Sequence, residues 1–127
     1  MTISRALLGL LFAIVPSVAH AGGDPLSGSK QFLQCRACHT VGAADRNGVG
    51  PNLNGVVGAR IGSRAGYNYS PAMKAKGGAW TAATLDAFLT RPMAAIPGTK
   101  MAFGGVSNPK ARADLISYLV TLKGAKR

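Results

Sequence analysis

The residues best suited to chemistry are two cysteines and a histidine, which stand together as Cys35-Arg36-Ala37-Cys38-His39. Cysteines three residues apart lie on one face of a helical turn, so both thiols can add to vinyl groups of one haem. The histidine follows directly and can present its imidazole to the iron. This spacing is the one used for covalent attachment of c-type haem. It predicts one haem c bound through both cysteines, with His39 as an iron ligand.

Three other uses of the cysteine pair fit the sequence less well. A thioredoxin-like redox pair requires a βαβ context, for which the chain shows no pattern. A zinc site requires four ligands, and apart from this motif and His20 the chain has no further cysteine or histidine. A disulfide between the two cysteines would close a very short loop and connect nothing distant, although an oxidising compartment permits it.

The second axial position of the iron decides whether a haem protein carries electrons, binds a gas or reacts with peroxide. Three methionines other than the first residue are available, Met73, Met93 and Met101. Met101 is favoured because the loop-forming stretch Ile96-Pro97-Gly98-Thr99-Lys100 precedes it and can lay a long thioether over the distal face. Met73 and Met93 fall in or beside short helical segments, as methionines that fill a core do. Histidine and methionine ligation predicts a raised reduction potential and outer-sphere electron transfer.

The first 21 residues predict a secretion signal that is cleaved and a periplasmic location. Arg5 supplies a positive charge, Ala6 to Val15 is apolar, and Ala19-His20-Ala21 places small residues before a cleavage site that follows Ala21. A retained membrane anchor is the alternative, but the apolar stretch is shorter than the ~20 residues of a spanning helix. The expected organisation is a signal peptide at 1–21 and one domain at 22–127.

The chain is strongly basic. It has 15 lysines and arginines against 4 aspartates, no glutamate and a formal charge of +11, which falls to +10 if Arg5 leaves with the signal. Such an excess is compatible with nucleic acid, an anionic membrane or an acidic protein. Secretion and the scattering of the basic residues argue against nucleic acid, so most of them are interpreted as solvated surface.

Capping residues predict an all-α domain of short helices and long loops. Ser27 or Ser29 is expected to cap a first helix that carries Phe32 and ends near His39. Further helix starts are expected at Ser70-Pro71, Thr81 and Asn108-Pro109. The stretches 42–66 and 94–107 show no helical or strand period, and so much loop in a small domain calls for a group at its centre.

Taken in their order, these motifs resemble class I cytochromes c, especially mitochondrial cytochrome c and its periplasmic bacterial relatives. The resemblance covers nearly all of the chain after the signal. It rests on the haem motif, Gly50-Pro51-Asn52-Leu53-Asn54-Gly55, Tyr67-x-Tyr69, Trp80, the stretch Pro97-Gly98-Thr99-Lys100-Met101-Ala102-Phe103, and a last helix with Leu115 and Tyr118.

The resemblance implies the class I cytochrome c fold and an electron carrier rather than an enzyme. It implies that the Pro51 carbonyl accepts a hydrogen bond from the axial histidine and so fixes the imidazole. Tyr69 and Trp80 correspond to residues that hydrogen-bond a buried haem propionate. Thr99 would hold the propionate or the methionine loop.

The resemblance also implies how the molecule is assembled and what it meets. The first and last helices are expected to cross near Phe32 and Leu115 in a monomer without a stable membrane anchor. The expected partners are redox proteins of a respiratory chain, such as a quinol-oxidising cytochrome complex, a terminal oxidase or a periplasmic dehydrogenase.

Three positions depart from the family pattern. Met73 stands where many relatives have asparagine, Phe88 where many have tyrosine, and Ala59 at a common arginine position next to Arg60. The ring of lysines around the haem edge is thin, with Lys100 remaining. Docking is therefore expected to depend less on salt than in the mitochondrial proteins.

Overall fold

The computed structural model describes residues 9–14 and 22–123. Its helices are α1 (Pro25–Gln31), α2 (Pro71–Ala75), α3 (Ala82–Thr90), α4 (Pro92–Ala95) and α5 (Pro109–Thr121), with a 3₁₀ turn at Phe32–Cys35. Within these ranges there is no β-strand, and an isolated antiparallel bridge joins Arg60 and Ala79. The prediction of an all-α domain with short helices and long loops is confirmed.

Three predicted helix starts are confirmed by side-chain caps. Ser70, Thr81 and Asn108 each accept a hydrogen bond from the backbone N–H three residues further on, at 3.1, 3.1 and 3.0 Å. Each cap satisfies an N–H that has no partner within the helix. The caps therefore determine where α2, α3 and α5 begin.

The predicted start of the first helix is wrong. Asp24, rather than Ser27 or Ser29, caps α1, and its carboxylate accepts hydrogen bonds from the N–H groups of Leu26 at 3.3 Å and Ser27 at 3.0 Å. Pro25 then takes the first helical position, where its missing N–H costs nothing. The Ser29 hydroxyl instead donates to the Leu26 carbonyl.

The predicted end of this helix is also wrong. The α-helical part stops at Gln31, and the chain tightens into the 3₁₀ turn that ends at Cys35, before reaching His39. A 3₁₀ turn is a common way to finish an α-helix. The 3₁₀ turn therefore ends on Cys35, the first residue of the cysteine motif.

The first and last helices pack against each other, as expected. Phe32 and Leu115 are each 1% exposed, and the ring centroids of Phe32 and Tyr118 are 5.1 Å apart. Gly28 makes the close approach possible, because a Cβ there would overlap the backbone carbonyl of Asp114. Burial of one such aromatic side chain contributes about 1.5–3 kcal/mol.

A carboxylate adds a polar tie at this crossing. Asp114 accepts a hydrogen bond from the backbone N–H of Asp24 at 2.8 Å and is bonded to the Lys110 ammonium at 3.1 Å. The bond from Asp24 is the main cause that holds the pKa of Asp114 below its usual 3.8, and Lys110 acts in the same direction. Folding therefore favours the ionised form of this side chain.

A buried guanidinium joins α3, α5 and the end of the loop between α4 and α5. Arg112 is 9% exposed, and its Nε donates to the Asp86 carboxylate at 2.8 Å. Its Nη1 donates to the carbonyls of Val106 and Ser107 at 2.9 and 3.0 Å. The fixed fork of arginine suits three acceptors on different segments.

The predicted signal segment lies mostly outside the described residues. Residues 9–14 have no regular secondary structure and are exposed, whereas residues 1–8 and 15–21, with the expected cleavage site after Ala21, are not described. Across the described ranges no helix has both the length and the apolar character needed to span a membrane.

Candidate cofactor-binding site

A cavity of about 390 Å³ occupies the middle of the domain, between the helices and the two long loops. This volume is within the range of small-molecule and cofactor sites. All eight residues predicted for the site line it: Cys35, Cys38, His39, Pro51, Tyr69, Trp80, Thr99 and Met101. Residues separated by up to 66 positions are thus brought to one space.

The walls of the cavity are mainly aliphatic and aromatic. Leu85, Phe88 and Leu89 of α3 line one side, and Met73 of α2 lines another. Met73 is 8% exposed and Phe88 is 6% exposed, so the two apolar departures from the family pattern are part of the wall. These apolar walls exclude water and suit a largely apolar ring system.

The backbone of the cysteine motif is held in a tight turn. The N–H groups of Cys38 and His39 both donate to the Cys35 carbonyl, at 3.1 and 2.9 Å. This turn directs both cysteines towards the cavity, and they are not joined in a disulfide. Burial raises the pKa of the Cys35 thiol, with a smaller contribution from the neighbouring Cys38. Both cysteines thus border the same cavity as free thiols.

The imidazole of His39 is fixed by a backbone carbonyl. Its Nδ1 lies 2.7 Å from the Pro51 oxygen. A carbonyl can only accept, so Nδ1 carries the proton and Nε2 keeps a lone pair that can bind a metal. Burial lowers the pKa of His39, and the bond to Pro51 opposes that shift. The bond to Pro51 therefore fixes the tautomer of the ring, and burial favours its neutral form.

Two residues brace this side of the cavity in ways that the sequence analysis did not identify. The Gly50 backbone lies against the His39 ring, and a Cβ there would come within 2.8 Å of Nδ1 and 2.9 Å of Nε2. The Tyr67 hydroxyl donates to the Val49 carbonyl at 2.8 Å, and its ring meets the Tyr69 ring edge-on at 4.8 Å. The segment before Pro51 is thus held by the His39 ring against Gly50 and by the Tyr67 hydroxyl at Val49.

A buried asparagine organises the long loop that carries Pro51. Asn52 is fully buried, and its Nδ2 donates to the carbonyls of Gly42 at 2.8 Å and Asp45 at 3.1 Å. Its Oδ1 accepts from the Asn54 N–H at 2.7 Å. The amide replaces the regular hydrogen bonds that a loop lacks.

The opposite side of the cavity is formed by the methionine loop. Met101 is half-buried, and its N–H lies 3.4 Å from the hydroxyl of the buried Thr99. Thr99 in turn donates its N–H to the Ile96 carbonyl at 3.0 Å, and the Lys100 ammonium donates to the Asn68 carbonyl at 2.7 Å. The loop is thus anchored immediately before Met101.

Trp80 and Tyr69 form the remaining edge. Trp80 is 9% exposed, packs on the Phe88 ring at 5.0 Å, and no side chain of the described ranges accepts from its indole N–H. The Tyr69 hydroxyl accepts from the Arg64 backbone N–H at 3.0 Å. A donor at a cavity wall is suited to a carboxylate of the bound group.

In this small helical domain, two cysteines, a histidine and a methionine line one apolar cavity. These are the side chains that a c-type haem protein uses to hold its cofactor. Comparison with known proteins agrees. The cytochrome c family profile matches residues 26–123. The chain belongs to the cytochrome c family. Its members are electron carriers and not enzymes, with one covalently attached c-type haem.

The relatives are bacterial and eukaryotic. Cytochrome c2 of Rhodomicrobium vannielii is 53% identical over 106 residues, which are 84% of this chain and 85% of that one. Cytochrome c of Arabidopsis thaliana is 48% identical over 98 residues, 76% of this chain and 88% of that one. The solved structure of cytochrome cH from Methylobacterium extorquens superposes with a TM-score of 0.74 at 47% identity, covering 78% of this chain and 99% of that chain.

Proposed function

We propose that this chain is a monohaem shuttle that moves single electrons between periplasmic or membrane redox proteins. Cys35 and Cys38 hold the haem through thioethers, and His39 and Met101 are the axial ligands. The observation that supports this most directly is that both ligands line one cavity while His39 is oriented by Pro51 at 2.7 Å. The bound haem supplies an iron that alternates between ferrous and ferric states.

The side chains that bind the iron, and the groups that hold those side chains in place, would set the reduction potential. The Pro51 carbonyl keeps the Nδ1 proton in place, which makes Nε2 a better donor. The thioether of Met101 stabilises the ferrous state relative to a nitrogen ligand and so raises the potential. If His39 and Met101 both bind the iron, no position would remain for a substrate, and the chemistry that the haem would supply is outer-sphere electron transfer.

The haem carboxylates are held, in this proposal, by donors on the far edge of the cavity. Trp80 offers an indole N–H without a protein acceptor in the described ranges, and Tyr69 and Thr99 line the same space. Arg60 also borders the cavity and supplies a positive charge. Together these groups offset the cost of burying a carboxylate.

The protein is, in this proposal, secreted. The segment 1–21 directs secretion and is removed after Ala21, which leaves a monomer free in the periplasm. Its partners are a quinol-oxidising cytochrome complex, a terminal oxidase or a periplasmic dehydrogenase. The relatives named cytochrome c2 and cytochrome cH come from bacteria.

An optical spectrum of the oxidised holoprotein tests the ligands. We expect sharp low-spin peaks and the weak near-infrared charge-transfer band of a thioether bound to ferric iron. Met101→Ala should abolish that band, while Met93→Ala, at a side chain that is 56% exposed and outside the cavity, should leave it unchanged. A band that is missing from the parent protein, or that survives in Met101→Ala, would contradict the assignment and favour an open iron site.

A further inference from the structure

Two asparagines of the chain are followed directly by glycine, Asn47 by Gly48 and Asn54 by Gly55. In such a pair the backbone nitrogen of the glycine can attack the side-chain amide of the asparagine, because no Cβ obstructs the approach. The other asparagines precede leucine, tyrosine or proline, which hinder the attack or, in the case of proline, have no N–H. The sequence alone therefore offers two equivalent sites for loss of an amide group.

The only co-reactant of this deamidation is water. At the first pair, the Gly48 nitrogen forms a bond to Cγ of Asn47, and Nδ2 leaves as ammonia with the proton that the glycine nitrogen gives up. A water molecule then hydrolyses the resulting cyclic imide at either of its two carbonyls. The product is an aspartate, or an isoaspartate in which the main chain runs through the former side chain. No electron is transferred, so neither an oxidant nor a reductant takes part.

The fold shields Asn54. This residue is 8% exposed, and its Nδ2 donates to the Val41 carbonyl at 3.0 Å. Its backbone N–H donates to Oδ1 of the fully buried Asn52 at 2.7 Å. The N–H of Gly55, which would have to attack, donates to the Leu122 carbonyl just after α5. Releasing these groups would leave buried polar atoms without partners, so the attacking geometry is rare.

Asn47 lies in a more open place. It is half-buried, and its Nδ2 donates at 3.1 Å to the carbonyl of Ala65, which is exposed, so that water can replace this bond. Gly48 is also exposed, and its N–H donates to the nearby Gly50 carbonyl at 2.9 Å. The Oδ1 atom of Asn47 accepts from the Asn52 N–H at 2.9 Å, which stabilises the negative charge that develops on Oδ1 during attack at Cγ. A local opening of the loop therefore frees the two reacting groups at little cost.

We propose that Asn47 is a site of spontaneous deamidation in the folded protein, and that the fold protects Asn54. The modification would change a joint within the long loop at 42–66. The Asn47 amide bonds Ala65 on one side and the Asn52 N–H on the other. An aspartate keeps the bond from Asn52 but has no proton to donate to the Ala65 carbonyl, and its charge would face that oxygen.

The joint matters because it lies beside a group that holds the candidate haem ligand. Asn52 follows Pro51, whose carbonyl lies 2.7 Å from Nδ1 of His39. An isoaspartate at Asn47 would in addition lengthen the main chain of this segment. Deamidation therefore loosens the loop that orients His39, and the protein ages at its cofactor site.

Ageing of the purified holoprotein tests the assignment of the site. The protein is kept at mildly alkaline pH, digested and mapped by mass spectrometry, which detects the mass gained when an amino group is replaced by a hydroxyl. The two asparagine–glycine pairs act as controls for each other within one chain. We expect Asn47 to react about tenfold or more faster than Asn54, a ratio that corresponds to a difference of about 1.4 kcal/mol in the free energy of local opening.

Urea removes the protection and provides the reference. In the unfolded holoprotein both pairs are accessible, so we expect Asn47 and Asn54 to react at similar rates there. Equal rates in the folded protein, or a faster reaction at Asn54, would overturn the inference. So would a folded protein in which neither residue reacts while both react in urea, because the fold would then protect the two pairs alike.

Asn47→Asp reproduces one product of the reaction and tests its consequence. Asn108→Asp is the matched control, because it adds the same charge at an exposed side chain whose bond, from the Ala111 N–H at 3.0 Å, a carboxylate can also accept. We expect Asn47→Asp to lower the urea midpoint of the holoprotein and Asn108→Asp to leave it unchanged or raise it, since aspartate caps a helix as well as asparagine does. Equal midpoints for the two variants would overturn the role of the Asn47 amide as a joint.

Discussion

Replacing Arg112 by methionine removes the guanidinium while keeping a long apolar side chain. The buried Val106 carbonyl and the partly buried Ser107 carbonyl then lose their donor. A buried acceptor without a partner costs about 1–3 kcal/mol. The Asp86 carboxylate is 49% exposed and regains water, so its lost ion pair adds less than about 1 kcal/mol. We expect the free energy of unfolding to fall by about 3 kcal/mol in total.

Asp86→Asn separates the two parts of this estimate. The variant discharges the carboxylate but leaves the guanidinium bonded to both carbonyls, so it should cost about 1 kcal/mol or less. Urea unfolding of the two holoproteins gives the comparison. Because Arg112 holds the end of the loop that carries Met101, the methionine variant should also lose its near-infrared ligand band at lower urea than its helical signal. Equal costs for the two variants would refute the reasoning, as would a loss below about 1 kcal/mol for Arg112→Met.

Three further changes test other parts of the structure. Gly50→Ala places a methyl group against the His39 ring, so magnetic resonance or resonance Raman spectra should show a tilted or weakened iron–imidazole bond; an unchanged spectrum would mean that the loop yields freely. Because folding lowers the pKa of Asp114 from 3.8, its ionised form stabilises the protein above that pH and the benefit is lost as the pH falls through the folded pKa. The free energy of unfolding of Asp114→Asn should therefore be lower than that of the parent at neutral pH and approach it in acid. A difference that stays constant with pH would argue against a stabilising role of the bonds from Asp24 and Lys110 to the Asp114 carboxylate. Phe32→Ala, at a side chain that is 1% exposed, should lower the free energy of unfolding by about 3–5 kcal/mol; a loss below about 1 kcal/mol in a denaturant titration would show that the helix crossing repacks.

Local chemistry made much of the fold predictable from the sequence. Ser70, Thr81 and Asn108 begin their helices as expected because a cap acts within three residues. The start of α1 was predictable by the same logic, since Asp24-Pro25 repeats the cap-and-proline pattern of Asn108-Pro109. The prediction placed the cap at Ser27 or Ser29 instead, because serine is also a common capping residue.

Long-range contacts set the limit of prediction. The cavity residues were found because their motifs recur in a known family, although nothing local relates Trp80 to Cys35. The closeness of Gly50 to the His39 ring and the bond from Arg112 to Asp86 depend on how segments meet in three dimensions. The sequence contains these residues, but no spacing marks them as partners.

The crossing of α1 and α5 has a consequence for the order in which the protein is made. The contact between Asp24 and Asp114 spans 90 positions, so it can form only after nearly the whole domain has emerged and its ends have diffused together. Closing so large a loop costs entropy and is slow compared with winding any single helix. During that interval Cys35 and Cys38 remain on an open chain. A chain that ends before α5 therefore leaves α1 without the helix against which Phe32 and Asp24 are held.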